Sequence, residues 1–180
     1  MSASAEPPVL SLSNVFSGYK VLQVLKGISF DIAAGDFVTV VGPNGHGKST
    51  LLKTISGLVP LTSGAIRING EPAPARPHTI AGLGVAHVPQ GDMLFPEMSV
   101  LENLLMGAYL APSKAEVERR LDEVYTLLPK LSDRRDQLAS SLSGGERRMV
   151  GIGRGRQLGG EDLLVDGPSL GLSPLIIWEN

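Results

Sequence analysis

The feature that most constrains this chain is a glycine-rich run of nine residues, Gly42-Pro43-Asn44-Gly45-His46-Gly47-Lys48-Ser49-Thr50. The β-branched and aromatic residues 37–41 precede it, as expected of a strand covered on both faces, and residues 49–55 after it have a helical pattern. The run matches a known pattern in full: glycine, four residues, glycine, lysine, then serine or threonine. A strand, this turn and a helix in that order predict a loop that cradles phosphate groups.

The residue types of this loop fit a nucleotide triphosphate with Mg²⁺. The glycines let backbone N–H groups turn toward the phosphates, and the start of the next helix adds the positive end of its dipole. Lys48 is expected to reach the β- and γ-phosphates, Ser49 to ligate Mg²⁺ and Thr50 to support the α-phosphate. His46 is interpreted as a residue of the loop. The alternative, a glycine turn that binds nothing, would leave the agreement of strand, lysine, hydroxyl and helix unexplained.

Length and composition exclude several other classes of protein. A chain of 180 residues fits one domain. Hydrophobic residues make up 42% of the sequence, but they form no uncharged stretch long enough to cross a bilayer. Residues 1–8 do not read as a secretory signal, so we expect a cytoplasmic protein. The absence of cysteine excludes disulfides and thiolate metal sites, and a net charge of -2 argues against a nucleic-acid binder.

The remaining pattern predicts an α/β fold with a mixed or parallel sheet, an antiparallel β layer near the start and a helical insert at about 99–140. Strands are predicted at residues 9–15, 28–32, 85–88 and 163–165, with an edge strand at 65–68 before the turn Asn69-Gly70. Residues 33–36 are predicted to form a turn. Helices are predicted at residues 100–110 and 114–128, the second with Ser113 and Glu116 placed as a capping box.

A second motif, Leu142-Ser143-Gly144-Gly145-Glu146, lies between the helical region and the strand at 163–165. A Ser-Gly-Gly turn by itself is more often a simple helix start. Downstream of a phosphate loop, however, it resembles the signature of ABC-type ATP-binding domains, which are P-loop NTPases that use ATP and Mg²⁺. The resemblance implies that this helix N-terminus contacts the γ-phosphate held by a second such domain, in a homo- or heterodimer.

Three more site residues follow from the resemblance alone. Tyr19 matches the aromatic residue that stacks on adenine, Gln90 matches a glutamine that contacts Mg²⁺ and the attacking water, and Asp166 matches the Walker B aspartate. Ser49, Gln90 and Asp166 are therefore the predicted metal-binding residues. Without the resemblance, Tyr19 would be an ordinary core or surface aromatic and Gln90 an ordinary loop residue. The assignment of Asp166 has more support from the residues themselves, since the end of an apolar strand is the usual ligand face of a parallel sheet.

Short motifs narrow the resemblance to the ATP-binding subunits of branched-chain amino-acid importers and their urea or amide relatives. They are Val88-Pro89-Gln90-Gly91, Glu102-Asn103-Leu104, Met106-Gly107, Leu128-Pro129-Lys130-Leu131 and Ser169-Leu170-Gly171-Leu172-Ser173-Pro174. Such subunits work beneath membrane-spanning permease subunits, fed by an external solute-binding protein. The resemblance thus implies a peripheral protein on the inner face of the cell membrane that docks through its helical insert.

The sequence also departs from this family. Gly167 stands where the family has a catalytic glutamate, so no catalytic residue is assigned, and the loss of a general base lowers turnover by about 10²- to 10⁴-fold. Gly153 and Gly155 predict a short or frayed signature helix. The sequence ends at Asn180, before the family's next strand, switch histidine and closing helices. We therefore expect a C-terminally shortened domain over residues 1–180, with a gap in its central sheet.

These departures leave alternatives open beside an ATP-hydrolysing importer subunit. One is a nucleotide-binding module that has no turnover of its own but completes a partner's site. Another is a non-functional fragment, which a poorly cooperative melt would reveal. A DNA-repair or translation-factor relative fits less well, because the sequence has no basic tract.

Overall fold

The structure, a computed structural model, describes residues 7–91, 93–160 and 162–167. They form two compact units, one up to Leu83 and one from Gly84. The predicted motif at residues 169–174 lies outside the described residues. In the described part of the chain, no helix has the length and apolar character to cross a membrane.

The first unit is built on an antiparallel sheet of four strands in the order β2-β1-β3-β4. The strands are β1 (Leu10–Tyr19), β2 (Leu22–Ile32), β3 (Leu61–Ile68) and β4 (Glu71–Pro72). The predicted antiparallel layer is confirmed. The edge position predicted for residues 65–68 is wrong, because β3 begins at Leu61 and lies between β1 and β4.

Both predicted turns of this unit are confirmed. Asn69 and Gly70 have φ angles of 51° and 81°, which suits the tight turn between β3 and β4. After β2, the backbone N–H of Asp36 donates to the carbonyl of Ala33, and the Ala33 N–H donates to the Asp36 carboxylate. This second turn directs the chain from β2 into residues 37–41.

Helix α1 (Lys48–Ile55) packs against the sheet through buried Leu51 and Ile55. A polar contact also fixes it there, since Thr54 Oγ1 donates to Ser17 Oγ of β1 at 2.9 Å. The Ser17 hydroxyl in turn donates to the carbonyl of Pro60. The helix that follows the glycine-rich loop is therefore held to the sheet at its C-terminal half. A short helix, α2 (Pro77–Gly82), completes the unit.

The strand predicted at residues 37–41 is not formed, which is a correction to the sequence analysis. The segment belongs to no strand and to no ladder among the described residues, and Phe37, Val40 and Val41 are all exposed. A β-branched run has the propensity for a strand, but a strand also needs a neighbour to take its backbone hydrogen bonds. The described residues supply none to this segment.

We predict that the backbone amides of residues 37–41 exchange hydrogen rapidly. Amides without ladder bonds are exposed at almost no opening cost, so their rates should lie within about tenfold of an unstructured peptide. Amides of β1, which pairs on both sides, are the internal reference and should exchange far more slowly. Hydrogen-exchange mass spectrometry resolves both segments. Equal protection of the two would show that residues 37–41 are paired in solution.

The second unit combines a two-stranded parallel sheet with helices. Strand β5 (Val85–Val88) pairs in parallel with β6 (Asp162–Val165), as the sequence predicts for a parallel core. The helices are α3 (Val100–Leu105), α4 (Lys114–Leu127) and α5 (Gly144–Arg156), with 3₁₀ turns at Met106–Ala108, Pro129–Leu131 and Ala139–Ser141. Their core consists of the buried residues Leu94, Val100, Leu104, Val124, Leu131, Ala139, Leu142 and Val150.

The two ends of the helical region lie side by side. Ser99 and Leu138 form an isolated antiparallel bridge, and the amide of Ala139 donates to the carbonyl of Met98 at 2.9 Å. Asn103, fully buried, also ties the preceding segment together, since its side chain bonds both the N–H and the carbonyl of Phe95. The region therefore leaves and rejoins the chain at neighbouring points.

The helix predicted at residues 100–110 is shorter than expected. Regular α-helix ends at Leu105 and gives way to the 3₁₀ turn at Met106–Ala108. Within that turn, a Cβ on Gly107 would lie 2.0 Å from the backbone oxygen of Arg154 in α5. The chain thus changes from α-helical to 3₁₀ geometry at a point where it lies close against α5.

The prediction that α5 is short or frayed is wrong. The helix runs 13 residues to Arg156, through both glycines. A Cβ on Gly153 would lie 2.8 Å from Leu104 and 2.9 Å from Val124, and one on Gly155 would lie 2.8 Å from Leu163. Close packing of α5 against α3, α4 and β6 therefore offsets the helix propensity that the glycines lose.

Only half of the predicted capping box of α4 forms. The Ser113 hydroxyl accepts the Glu116 N–H at 3.2 Å, but the Glu116 carboxylate does not return to Ser113. It binds the guanidinium groups of Arg119 and Arg120 instead, and these bonds lower its pKa from 4.5 to about 2. Arg120 also donates to the carbonyls of Gln157 and Leu158 at the end of α5. The carboxylate of Glu116 thus orients a side chain that joins α4 to α5.

We predict that Glu116→Gln lowers stability at neutral pH and that this loss disappears in acid. A carboxyl whose pKa is depressed in the folded state contributes stability above its unfolded pKa, 4.5, and loses it as the pH falls toward about 2. Urea unfolding of both proteins across this range measures the difference. Glu118→Gln is the matched control, because Glu118 makes an exposed 3.8 Å pair with Lys114 on the same helix. A difference between wild type and Glu116→Gln that persists unchanged below pH 4.5 would contradict the assignment.

Candidate functional site

The glycine-rich loop takes a conformation that glycine makes possible. Gly42, Gly45 and Gly47 have φ angles of 152°, 84° and 88°, values that side chains disfavour. A Cβ on Gly47 would also lie 3.0 Å from the side chain of Val24 in β2. The loop therefore rests on β2 at its end, while Gly42 and Gly45 face open space.

Lys48, the first residue of α1, bends back over this loop. Its ammonium group donates to the carbonyl oxygens of Gly42 at 2.7 Å and Pro43 at 2.9 Å. An ammonium has three donors, so two bonds to the loop leave capacity for a further acceptor. The positive charge is thus fixed at the loop.

The start of α1 offers the donors that a phosphate requires. Its N-cap is Gly47, and no side chain caps the helix, so the first-turn N–H groups have no side-chain acceptor of the N-cap type. No acidic residue lies in that first turn. The open space at Gly42 and Gly45, a fixed ammonium and an uncapped helix start together fit a polyphosphate.

The other predicted residues of the loop have distinct environments. The His46 ring Nδ1 lies 3.2 Å from the carbonyl oxygen of Asn44, within the loop. Ser49 is half-buried, and Thr50 is buried. The structure therefore puts His46 at the surface of the loop and Thr50 at its base.

Tyr19 ends β1 beside an exposed tip. The residue is 45% exposed, and Val21 and Leu22 after it are more exposed still. Tyr19 is thus not a core residue and is partly open to solvent. It belongs to the same unit as the loop.

In the second unit, Gln90 and Asp166 come to the same edge of the parallel sheet. Val88 pairs with Val165, so the residues after β5 and β6 leave the sheet side by side, and the Asp166 N–H donates to the Val88 carbonyl at 2.9 Å. Gln90 packs over Gly167, where a Cβ would lie 3.0 Å from Gln90 Cγ. The structure thus brings together two of the three predicted metal-binding residues.

Gly167 has a φ angle of 64° as well as this contact. A residue with a side chain would be strained in that conformation and would have to displace Gln90. The position therefore has neither a carboxylate nor ready room for one.

The signature motif forms the start of α5. Ser143 is the N-cap, and its backbone N–H and hydroxyl both donate to the Glu146 carboxylate, at 2.9 and 2.8 Å. The backbone bond and the hydroxyl bond from Ser143 lower the pKa of Glu146. Arg134 pairs with the same carboxylate at 3.0 Å, while Gly144 and Gly145 face open space. The motif is thus an exposed helix start with a carboxylate already bound.

Sequence analysis missed Arg148. Its guanidinium donates to the carbonyl of Pro89 at 3.2 Å and to that of Asp166 at 2.6 Å. It therefore joins α5 to the ends of β5 and β6. The only sequence signal is an arginine one turn into the signature helix, and arginine there reads as a solvated charge.

Comparison with known proteins agrees with this geometry. The ABC transporter family model matches residues 25–169. A high-affinity branched-chain amino acid transport ATP-binding protein of Pseudomonas aeruginosa is 41% identical over 172 residues, which are 95% of this chain and 73% of that protein. A probable branched-chain amino acid transport ATP-binding protein of Archaeoglobus fulgidus is 41% identical over 159 residues, covering 88% and 67%. An sn-glycerol-3-phosphate import ATP-binding protein of Cereibacter sphaeroides is 38% identical, with 88% and 45% covered.

Solved structures show the same fold. The crystal structure of a nucleotide-free ATP-binding cassette from an ABC transporter superposes with a TM-score of 0.79 at 28% identity, over 93% of this chain and 72% of that one. An ATP-binding subunit of an ABC transporter gives the same TM-score at 32% identity, over 92% and 69%.

Proposed function

Because this chain belongs to the ABC transporter family of ATP-binding domains, we propose that it binds Mg-ATP and pairs with a second such domain in a solute importer. The family is one of P-loop ATPases, and the fold is that of its ATP-binding cassettes. The observation that carries the proposal is the glycine-rich loop, with the Lys48 ammonium fixed over it and α1 beginning uncapped behind it.

The first unit would hold the nucleotide. Backbone N–H groups of the loop and of the first turn of α1 would bind the phosphates, with Lys48 as the fixed cation. Tyr19, exposed at the end of β1, would stack on the adenine. Mg²⁺ supplies charge neutralisation to the phosphates, and Ser49, Gln90 and Asp166 are the residues proposed to hold it.

The second unit would act on a partner's nucleotide through Ser143, Gly144 and Gly145. These residues begin α5, and Gly144 and Gly145 face open space. An exposed helix N-terminus attracts an anion by its free N–H groups and its dipole. The partner would be a second ATP-binding subunit, identical or related.

Turnover by this chain would be slow. Gly167 cannot orient or deprotonate water, and Gln90 already lies over it. This observation favours a second function of the same class: a nucleotide-binding module that completes the site of a partner, whose own carboxylate performs hydrolysis. The helical region at 99–140 would serve as the docking part of a single domain.

The transported solute is proposed from likeness alone. Two relatives at 41% identity bear the description of branched-chain amino acid transport, while a relative at 38% is described for sn-glycerol-3-phosphate import. The higher identity and coverage favour branched-chain amino acids or a related small solute. The protein would then lie beneath permease subunits on the inner face of the cell membrane and receive solute from an external binding protein.

Calorimetric titration with ATP, ADP and AMP in Mg²⁺ tests the proposal. A phosphate loop binds the β- and γ-phosphates, so ATP and ADP should bind and AMP should bind at least about 100-fold more weakly. Phosphate release followed in the same samples reports turnover. Binding with negligible release would favour the partner-dependent module.

Adding the intact partner subunit separates the two functions further. Release that appears only with the partner, and that Ser143→Ala in this chain reduces, would support completion of the partner's site. Equal affinity for ATP and AMP, or no affinity for either, would contradict nucleotide binding through the loop.

A further inference from the structure

Arg148 is the side chain that most directly connects α5 to the proposed metal-binding residues. It lies on α5, five residues after Ser143, and both of its terminal guanidinium nitrogens, Nη1 and Nη2, donate hydrogen bonds. One donates to the carbonyl of Pro89, next to Gln90, and the other to the carbonyl of Asp166 itself.

The geometry of these bonds fixes two strand ends at once. Guanidinium donors lie in a rigid planar fork, so holding both carbonyls sets the spacing between the ends of β5 and β6. The carbonyls are neutral, so this arginine forms no ion pair in these contacts, and its role is to hold the backbone. Gln90 and Asp166 leave the sheet at those two points.

We propose that Arg148 is a positioning residue that sets the separation of Gln90 and Asp166 for Mg²⁺ and couples it to α5. The inference rests on the proposed function, since it concerns the metal of bound ATP. Residues that orient metal ligands commonly change metal affinity by about 10- to 100-fold when they are replaced.

Such coupling would run from the N-terminus of α5 to the metal-binding residues. The N-terminus of α5 carries Ser143, the residue proposed to contact a partner's nucleotide, and Arg148 follows it by little more than one helical turn. A displacement of this helix start would therefore move the guanidinium and, through it, the backbone at Pro89 and Asp166. Nucleotide binding in the partner's site would therefore change the Mg²⁺ affinity of this chain.

The test is a titration of the full chain with a fluorescent ATP analogue, in EDTA and then across a Mg²⁺ series. In Arg148→Gln, the Mg²⁺ concentration at half-effect should rise about tenfold, while affinity in EDTA changes by less than about twofold. Arg154→Gln is the matched control. It removes the same charge from the same helix and the bond to the Met93 carbonyl, and it should leave the Mg²⁺ dependence unchanged.

A double-mutant cycle separates positioning from general damage. In an Asp166→Asn background, Arg148→Gln should not further change the Mg²⁺ concentration at half-effect, because the carboxylate whose separation from Gln90 it sets is gone. Arg148→Lys keeps the charge but not the planar fork of donors, so it should show a smaller shift in the same direction. It replaces the glutamine variant if that variant fails to melt cooperatively.

The outcomes distinguish this inference from the proposed function. No ATP binding by the wild type would overturn both. Normal wild-type binding, with Arg148→Gln weakening ATP equally in EDTA and in Mg²⁺ or changing neither, would overturn the positioning role alone.

Discussion

Replacing Lys48 with alanine is expected to reduce ATP affinity by about 30-fold or more. The Lys48 ammonium is held at the loop by the carbonyls of Gly42 and Pro43, and it is the cation offered to the phosphates there. A charge-assisted hydrogen bond is worth about 2 kcal/mol, which corresponds to roughly 30-fold in a dissociation constant. Calorimetry on the purified variant measures the loss directly.

The control for charge is Lys53→Ala. Lys53 lies in the last turn of the same helix, at the end away from the loop, and its removal should leave ATP affinity nearly unchanged. Thermal unfolding without nucleotide should be similar for both variants. An equal loss of affinity in the two would mean that net charge, not the placement of Lys48, determines binding.

Gly107→Ala is expected to destabilise the second unit by about 3 kcal/mol or more. The added Cβ would lie 2.0 Å from the backbone oxygen of Arg154 and 2.9 Å from Gln157 Cβ. A backbone atom cannot rotate away, so the 3₁₀ turn and α5 would have to separate and lose their packing. Urea unfolding should show a large fall in the midpoint.

Gly144→Ala tests whether a methyl group added to any glycine of this region would destabilise the protein. Gly144 belongs to α5 as well, but nothing lies within 4 Å of the position that its Cβ would take. The stability of the Gly144→Ala protein should therefore stay level or rise slightly. Because Gly144 belongs to the signature motif, this variant is a control for stability and not for activity. A Gly107→Ala protein as stable as Gly144→Ala would show that α5 does not lie against Gly107 in solution.

The phosphate loop and α1 could be predicted from the sequence because their determinants are local. Glycines at positive φ, a lysine and a helix start all lie within residues 42–50. The helix start at Ser143 is also local, and the structure adds a full capping box with Glu146 that the sequence analysis did not predict.

Where prediction failed, the determinant was distant in sequence. Residues 37–41 have strand propensity, but pairing depends on a neighbour that the segment cannot specify. Gly153 looked like a helix breaker, whereas Leu104 and Val124 require a residue without a side chain there. The Glu116 carboxylate accepts hydrogen bonds from Arg119 and Arg120 and not from the Ser113 N–H, and spacing alone does not decide between these donors.

An anion that approaches the start of α5 would find its donors already in use. The Ser143 hydroxyl and N–H are already bound to the Glu146 carboxylate, which Arg134 also holds. A phosphate arriving there would compete with a resident anion for the same donors. Capture would then be an exchange of one negative group for another. The released Glu146 carboxylate would still pair with Arg134, so its negative charge would remain neutralised after it leaves the helix N-terminus.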